Sequence, residues 1–283
     1  MVSLSNKTNI DKLAALFQEF NIEVISTGGT AKQLKQHLPE VIDIEEITSF
    51  PEILGGRVKT LHPHVHGGIL ARKDNTDDMQ TLKDLQIDAF DLVVVNLYPF
   101  EEQLLKDGTA GDSQAIDSMV ELIDIGGITL LRAAAKNYRN VILITDPQDY
   151  DNLADELRAN NGSVRVEFSA KRMAAAFARS SAYDRNIANY FAAQLDQDAS
   201  VATPESAPDD NSTASASPRL MISADLKQEL RYGENPHQQA ALYASSANHG
   251  NDKGIAGAKL LNGKALSYNN LVDANAAWRL ACE

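Results

Sequence analysis

Residues 90 to 97 read FDLVVVNL, apolar at almost every position. A strand without polar alternation has no face to offer to water, so it must be covered on both sides, as the strands of parallel sheets are. NVILIT, 140 to 145, has the same character. Before and between these runs the period becomes helical: in NIDKLAALFQEF, Ile10, Leu13, Leu16 and Phe17 follow helical spacing. MVSL opens the chain, and IEVIS (22 to 26) passes through Gly28 and Gly29 into the helical TAKQLKQHL. Residues 168 to 194 read as one long Ala-rich helix. Short apolar strands alternating with helices predict an α/β fold, a parallel sheet with helices on both faces.

At 283 residues there is length for one full domain and part of a second. The stretch 196 to 218 has five acidic residues, no Lys or Arg, three prolines and almost nothing to bury, which predicts a disordered linker. It divides the chain into 1–195, the linker 196–218, and 219–283. The formal net charge of -13 argues against a nucleic-acid surface, so an anion would be held by local groups only. No run is long enough to span a membrane and no signal peptide opens the chain. The single cysteine, Cys282, suits a reducing compartment, and a cytoplasmic location is expected.

Ligands of open parallel sheets bind beyond the carboxyl ends of the strands. Ser5, Lys7 and Thr8 follow the first strand, Thr27, Gly28, Gly29 and Thr30 follow the second, and Asp124 precedes Gly126 and Gly127 before another helix. Glycines let backbone approach a phosphate, and a helix start presents unpaired N–H groups. Taken singly, each Gly-Gly also reads as a tight turn, and Thr30 or Asp124 as an ordinary cap. None matches the Walker or dinucleotide patterns. Arg57, Lys59 and Thr60 add cations in a further Gly-Gly-led segment.

That segment continues into His62, His64 and His66 on alternate positions. In an extended strand they would share one face, yet zinc sites usually take a third ligand from elsewhere. No thiolate lies nearby and the H-E-x-x-H pattern is absent, so no metal is expected. The histidines are read as packing, capping or touching the edge of a ligand.

Together, STGGTAK, GGRVKTLHPHVHGGILAR, NLYPF, IDIGGITLLRAAAKN and RYGENPHQ resemble one family. It is the bifunctional purine-biosynthesis enzyme phosphoribosylaminoimidazolecarboxamide (AICAR) formyltransferase / IMP cyclohydrolase. The resemblance implies a methylglyoxal-synthase-like first domain that closes the purine ring of the formylated aminoimidazole-carboxamide ribonucleotide, giving IMP and water. It places the nucleotide on Ser5, Asn6, Lys7, Thr27, Gly28, Gly29 and Thr30. It adds Arg57, Val58, Thr60, Asn96, Leu97, Ile125, Gly126 and Gly127. The catalytic set would be Lys59, Tyr98, Asp124 and Lys136. Lys59 would face the growing oxyanion with N–H groups near Gly126 and Gly127, Asp124 the amide proton, and Tyr98 the leaving oxygen. Ring closure would need no cofactor or metal, and the full-length protein would be a homodimer.

Lys136 fits less easily. In a helix starting at Gly126 it lies roughly 15 Å along the axis, so it would reach the site from a neighbouring subunit or serve only the helix end. The chain also departs from the family in a short first strand, whose edge is expected to be poorly held, and in a long acidic connection.

LRYGENPHQQAALY and LNGKALSYNNLVDANAAW resemble the opening of the family's formyltransferase domain. Arg231 and Tyr232 would bind the aminoimidazole ribonucleotide, with His237 nearby and 10-formyltetrahydrofolate as co-substrate. The family's catalytic Lys-His pair comes later, so residues 219–283 are expected to be the incomplete start of a second α/β domain in a truncated chain. Apolar faces around Leu271 and Trp278 would then be loosely held. Two other readings are a regulatory module of the same fold binding a phosphorylated effector, and methylglyoxal synthase itself. The latter fits the Arg57–Lys59 and NLYPF segments poorly.

Overall fold

Val93 and Val95 of one strand point into one apolar layer while Leu92 and Val94 point into another, and all four are buried. The period-two alternation of a strand puts consecutive side chains on opposite faces, so both faces need cover. This strand, β4 (Leu92–Asn96), lies in a parallel sheet with β1 (Val2–Leu4), β2 (Ile25–Ser26), β3 (Ile42–Asp43) and β5 (Ile142–Ile144). The order is β3-β2-β1-β4-β5. The computed structural model describes residues 1–100, 103, 113–201, 224–245 and 254–282. They divide into two units, Met1–Glu205 and Ser206–Glu283.

One layer is built by α1 (Ile10–Glu19) and α2 (Gly28–Leu34) with a later helix, α8 (Tyr150–Ala159). Leu13, Phe17, Leu34, Leu153 and Leu157 are its buried residues against Val2, Leu4 and Ile144. The opposite layer is built by α4 (Pro63–Leu70), α7 (Gly126–Lys136) and the long α9 (Val166–Val201), through Val65, Ile69, Leu130, Leu131 and Ala176. Each fully buried Leu, Val or Phe contributes roughly 1.5–3 kcal/mol in transfer from water. The remaining helices of this unit are α3 (Ile44–Thr48), α5 (Thr76–Asp84) and α6 (Ser113–Glu121).

Three expectations change. β1 is not a poorly held edge: it is the central strand, paired with β2 through Val2 and Ser26 and with β4 from Val2 to Leu4. The Met1 nitrogen donates to the Leu92 carbonyl at 2.8 Å, and the Ser26 hydroxyl to that of Val2 at 2.8 Å. The strands are also shorter than the apolar runs that contain them, because the outer residues of each run pack in loops. The long helix passes the expected boundary at 195 and reaches Val201, while 202–218 of the expected linker lie outside the described residues. Its start is held by Glu156 of α8, which accepts from the Arg165 backbone at 3.0 Å and from its guanidinium at 2.7 and 2.8 Å.

In the second unit, β6 (Ala224–Glu229) and β7 (Ala241–Ser245) form an antiparallel pair with an irregularity between Leu226 and Gln228. α10 (Tyr268–Cys282) buries no residue, and Leu261 and Leu280 are exposed. Among the described residues of this unit no hydrophobic side chain is buried. Backbone hydrogen bonds link distant parts of this unit, as from the Arg231 N–H to the Leu266 carbonyl at 2.8 Å. Among all described residues no helix is long and apolar enough to cross a membrane.

Candidate active site

β1 and β4 are in register from Val2↔Val94 to Leu4↔Asn96, so the two strands end side by side. The chain leaves β1 toward β2 on one side, whereas β4 leads to β5 on the other, which opens a crevice at the carboxyl ends. A cavity of about 720 Å³ occupies it. Ser5 and Lys7 after β1, Thr27, Gly28, Gly29 and Thr30 after β2, and Asn96 and Tyr98 from the end of β4 line it. Arg57, Lys59 and Thr60, then Asp124, Ile125, Gly126 and Gly127, complete the wall.

Local chemistry explains how these groups are held. Asn96 accepts from the backbone N–H of Ser5 at 2.7 Å and of Asn6 at 2.9 Å, and donates to the Asn6 carbonyl at 2.7 Å. That triple contact fixes the loop after β1. Thr30 is not a helix cap. Its buried hydroxyl donates to the Leu4 carbonyl at 3.0 Å and accepts the Leu4 N–H at 3.1 Å, tying α2 to β1. Thr27 is the residue before α2 and its side chain caps nothing, and Ile125 before α7 supplies no side-chain cap either. The start of α2 therefore faces the cavity without a side-chain acceptor, the arrangement that attracts an anion.

The cations come from a tight reversal. Ile53 and Val58 pair through their backbones, and between them Leu54, Gly55 and Gly56 all take positive φ, 55°, 64° and 94°. A side chain at Gly56 would meet a Glu52 carboxylate oxygen at 2.7 Å and the Lys59 Cε at 3.1 Å, so only glycine permits this approach. The Lys59 ammonium sits 2.8 Å from Glu52, and Arg57 pairs with Glu121. Lys59 also reaches α2, its nitrogen 3.5 Å from where a Gly28 Cβ would stand. Thr60 Oγ1 lies 3.0 Å from the Cβ position of Gly126.

Asp124 is half-buried opposite. Burial pushes its carboxyl above the usual aspartate value, and N–H groups of Gly127 and Tyr98 pull it part of the way back. The Gly127 N–H donates to Asp124 Oδ1 at 2.6 Å. That corrects one expectation: this N–H is committed to Asp124 and is not offered to a ligand. The Asp124 backbone N–H donates in turn to the phenol of Tyr183 at 2.8 Å.

Four expected residues lie outside the cavity wall. Asn6 turns its side chain to the Thr8 N–H at 2.9 Å, Val58 serves the reversal through its backbone, and Leu97 packs beside the core. Lys136 is exposed in the last turn of α7, ten residues beyond Gly126. At about 1.5 Å per residue the helix separates the two by roughly 15 Å. Glu52, Glu121 and Tyr183 were not foreseen from the motifs. Glu52 carries only the signal of an acid near a basic run, and Glu121 and Tyr183 none.

The histidines do not form the extended row that their spacing allows. His62 precedes α4 and its Nδ1 accepts from the His64 N–H at 3.2 Å, while Pro63 opens the helix. His64 bonds the Ile47 carbonyl at 3.0 Å, and the rings of His62 and His64 meet edge-on at 5.0 Å. His66 is on the next turn, its Nε2 buried without a partner. Helical geometry turns residues two apart to different sides. Among the described residues no three His, Cys, Asp or Glu side chains group as a metal site would require.

In the second unit the Arg231 guanidinium lies over the Tyr232 ring at 4.9 Å and bonds its hydroxyl at 3.3 Å. Tyr232 holds the start of α10 through its carbonyl, which accepts the Tyr268 N–H at 3.1 Å. His237 is exposed.

A parallel α/β sheet with a cationic crevice at its carboxyl edge defines the first unit as an MGS-like domain, and the profile described by that name matches residues 9–129. A second profile, the AICARFT/IMPCHase bienzyme, matches residues 134–283. The chain belongs to the AICARFT/IMPCHase bienzyme family. It is 46% identical over 284 residues to the bifunctional purine biosynthesis protein PurH of Rippkaea orientalis, with all of this chain and 51% of that protein aligned. The PurH of Rhizobium rhizogenes is 44% identical over 283 residues, with 48% of its length aligned. The chain thus spans about half the length of these curated relatives. The crystal structure of ForH superposes with a TM-score of 0.58 at 35% identity, covering 68% of this chain and 98% of that one.

Proposed function

We propose that the first unit is an IMP cyclohydrolase, closing the purine ring of the formylated aminoimidazole-carboxamide ribonucleotide to give IMP and water. The observation that carries this reading is the joint presence in one cavity of Lys59, Asp124, Tyr98 and the uncapped start of α2. That helix start, with Lys7 and Arg57, suits the anionic groups of a nucleotide. In the reaction the carboxamide nitrogen bonds to the formyl carbon and passes a proton to the Asp124 carboxylate. The formyl oxygen gains negative charge beside the Lys59 ammonium. That oxygen takes back the proton held by Asp124 and, with the Tyr98 hydroxyl donating to it, receives the second from the former formamide nitrogen, leaving as water while the ring C=N bond forms. Both reacting groups belong to one molecule, so holding them aligned supplies much of the acceleration.

For Lys59 to act, the substrate must displace Glu52 from its ammonium. Lys136 stands outside this scheme within one copy and would approach a cavity only from a second, as in the homodimer that the family resemblance implies. Residues 219–283 are read as the opening of an AICAR formyltransferase domain, with Arg231 and Tyr232 toward the ribonucleotide. The resemblance gives 10-formyltetrahydrofolate as the co-substrate of that domain. A cytoplasmic location accords with this chemistry. The decisive test is incubation of the purified chain with the formylated ribonucleotide while IMP absorbance is followed. Turnover supports the reading, and tight binding without turnover would turn it toward a regulatory module.

A further inference from the structure

Asp124 and Tyr98 approach the cavity from different elements, and one side chain joins their supports. Tyr183, on the middle of α9 and only 7% exposed, accepts the Asp124 backbone N–H at 2.8 Å and donates to the Leu122 carbonyl at 2.9 Å. Its hydroxyl thus closes a small ring with the 122–124 backbone, satisfying a donor and an acceptor that would otherwise be lost to the core. The same aromatic ring packs edge-on against Phe100 at 6.2 Å, two residues after Tyr98. Phe100 is buried, and its N–H bonds the Tyr98 carbonyl at 2.9 Å. Tyr98 and Asp124 are themselves joined, since the Tyr98 N–H serves the Asp124 carboxylate.

We infer that Tyr183 is a positioning residue for ring closure. It clamps the Asp124 loop through its hydroxyl and the Tyr98 segment through its ring, so that carboxylate and phenol face the substrate in one geometry. This rests on the ring-closure reading and deepens it. Tyr183 does not line the cavity and touches no reacting atom. Burial keeps its phenol protonated, pushed up to about 12, so the donor to Leu122 persists through the working pH range. No local pattern marks the residue. It lies 59 positions from Asp124 and arrives only because α9 packs along α7.

The test is a double-mutant cycle in the full chain, with Tyr183→Phe keeping the ring against Phe100. In the wild-type background the variant should lower kcat roughly tenfold, the scale of one lost buried hydrogen bond, with KM changed less than about twofold. In an Asp124→Asn background the same change should cost less than about twofold, because the group it positions is gone. A purely structural role would give equal losses in both backgrounds, and that result overturns the inference, as does an unchanged kcat. Amide exchange at Asp124 gives a readout without turnover. Protection lost in Tyr183→Phe, with Gly68 and Val93 still protected, supports the clamp, and retained protection refutes it. A wild-type chain that makes no IMP would instead remove the ring-closure reading and leave the exchange result to decide the clamp.

Discussion

The backbone N–H of Gly127 points at Asp124 Oδ1 across 2.6 Å, and a side chain at Gly127 would overlap that same carboxylate. The first turn of α7 therefore both holds Asp124 and depends on having no Cβ there. Gly127→Ala should displace the carboxylate and lower turnover on the order of a hundredfold, as an ångström-scale misplacement of a reacting group does. Gly126→Ala meets only the Thr60 hydroxyl at 3.0 Å, which can turn away, and should cost less. Steady-state rates of the two alanine variants, compared side by side, check the ordering.

Lys59→Met should lower turnover roughly a hundredfold, as loss of one oxyanion donor does, and weaken nucleotide binding less. Titration calorimetry with IMP beside rate measurements separates the two effects. A folded Lys59→Met protein at wild-type rate would remove Lys59 from the chemistry.

The Asp124 carboxylate must be ionised to accept a proton, and burial raises its pKa. Below that raised value the group is protonated, so the rate should fall as pH drops through it. The acid limb of kcat is expected above the ordinary aspartate value of about 3.9. Asp124→Asn should abolish most turnover and, in the residual rate, the limb. A limb that survives that substitution belongs to another group.

Glu156, holding the start of α9 through Arg165, has its carboxyl lowered to about 2. A depressed carboxyl stabilises the fold above its unfolded pKa and loses that contribution as pH falls through the folded value. Glu156→Gln should therefore melt below wild type at neutral pH, with the gap narrowing from about pH 4.5 toward about pH 2. Melting temperatures across that range measure it.

Ring closure should survive exhaustive dialysis against a chelator, since His62 and His64 are engaged in capping and backbone contacts. Elemental analysis should find no stoichiometric zinc. Activity lost on dialysis and restored by one equivalent of a metal would reassign the three histidines.

The two-sided apolar character of FDLVVVNL and NVILIT was enough to call for a parallel sheet covered on both faces, because a strand without polar positions admits no exposed side. The loops at Ser5, Thr27–Thr30, Arg57–Thr60 and Asp124–Gly127 were legible for a related reason: glycines and small hydroxyls before a helix are local chemistry. Strand order was not legible. Nothing in MVSL says that it is central, since its place depends on which neighbours reach it with matching register. Lys136 shows the same limit from the other side, because a motif records residue types while a rigid helix sets where each one ends up.

The covered layers and the cluster of anion-seeking groups were readable from the residues alone, because both follow from side chains close together along the chain. It takes the folded chain to turn Glu52 onto Lys59 across the Gly55–Gly56 reversal, and to bring Tyr183, 59 positions from Asp124, to the 122–124 loop. Hydrogen bonds act over about 3 Å in space whatever the separation in sequence, and packing of α9 against α7 creates that proximity.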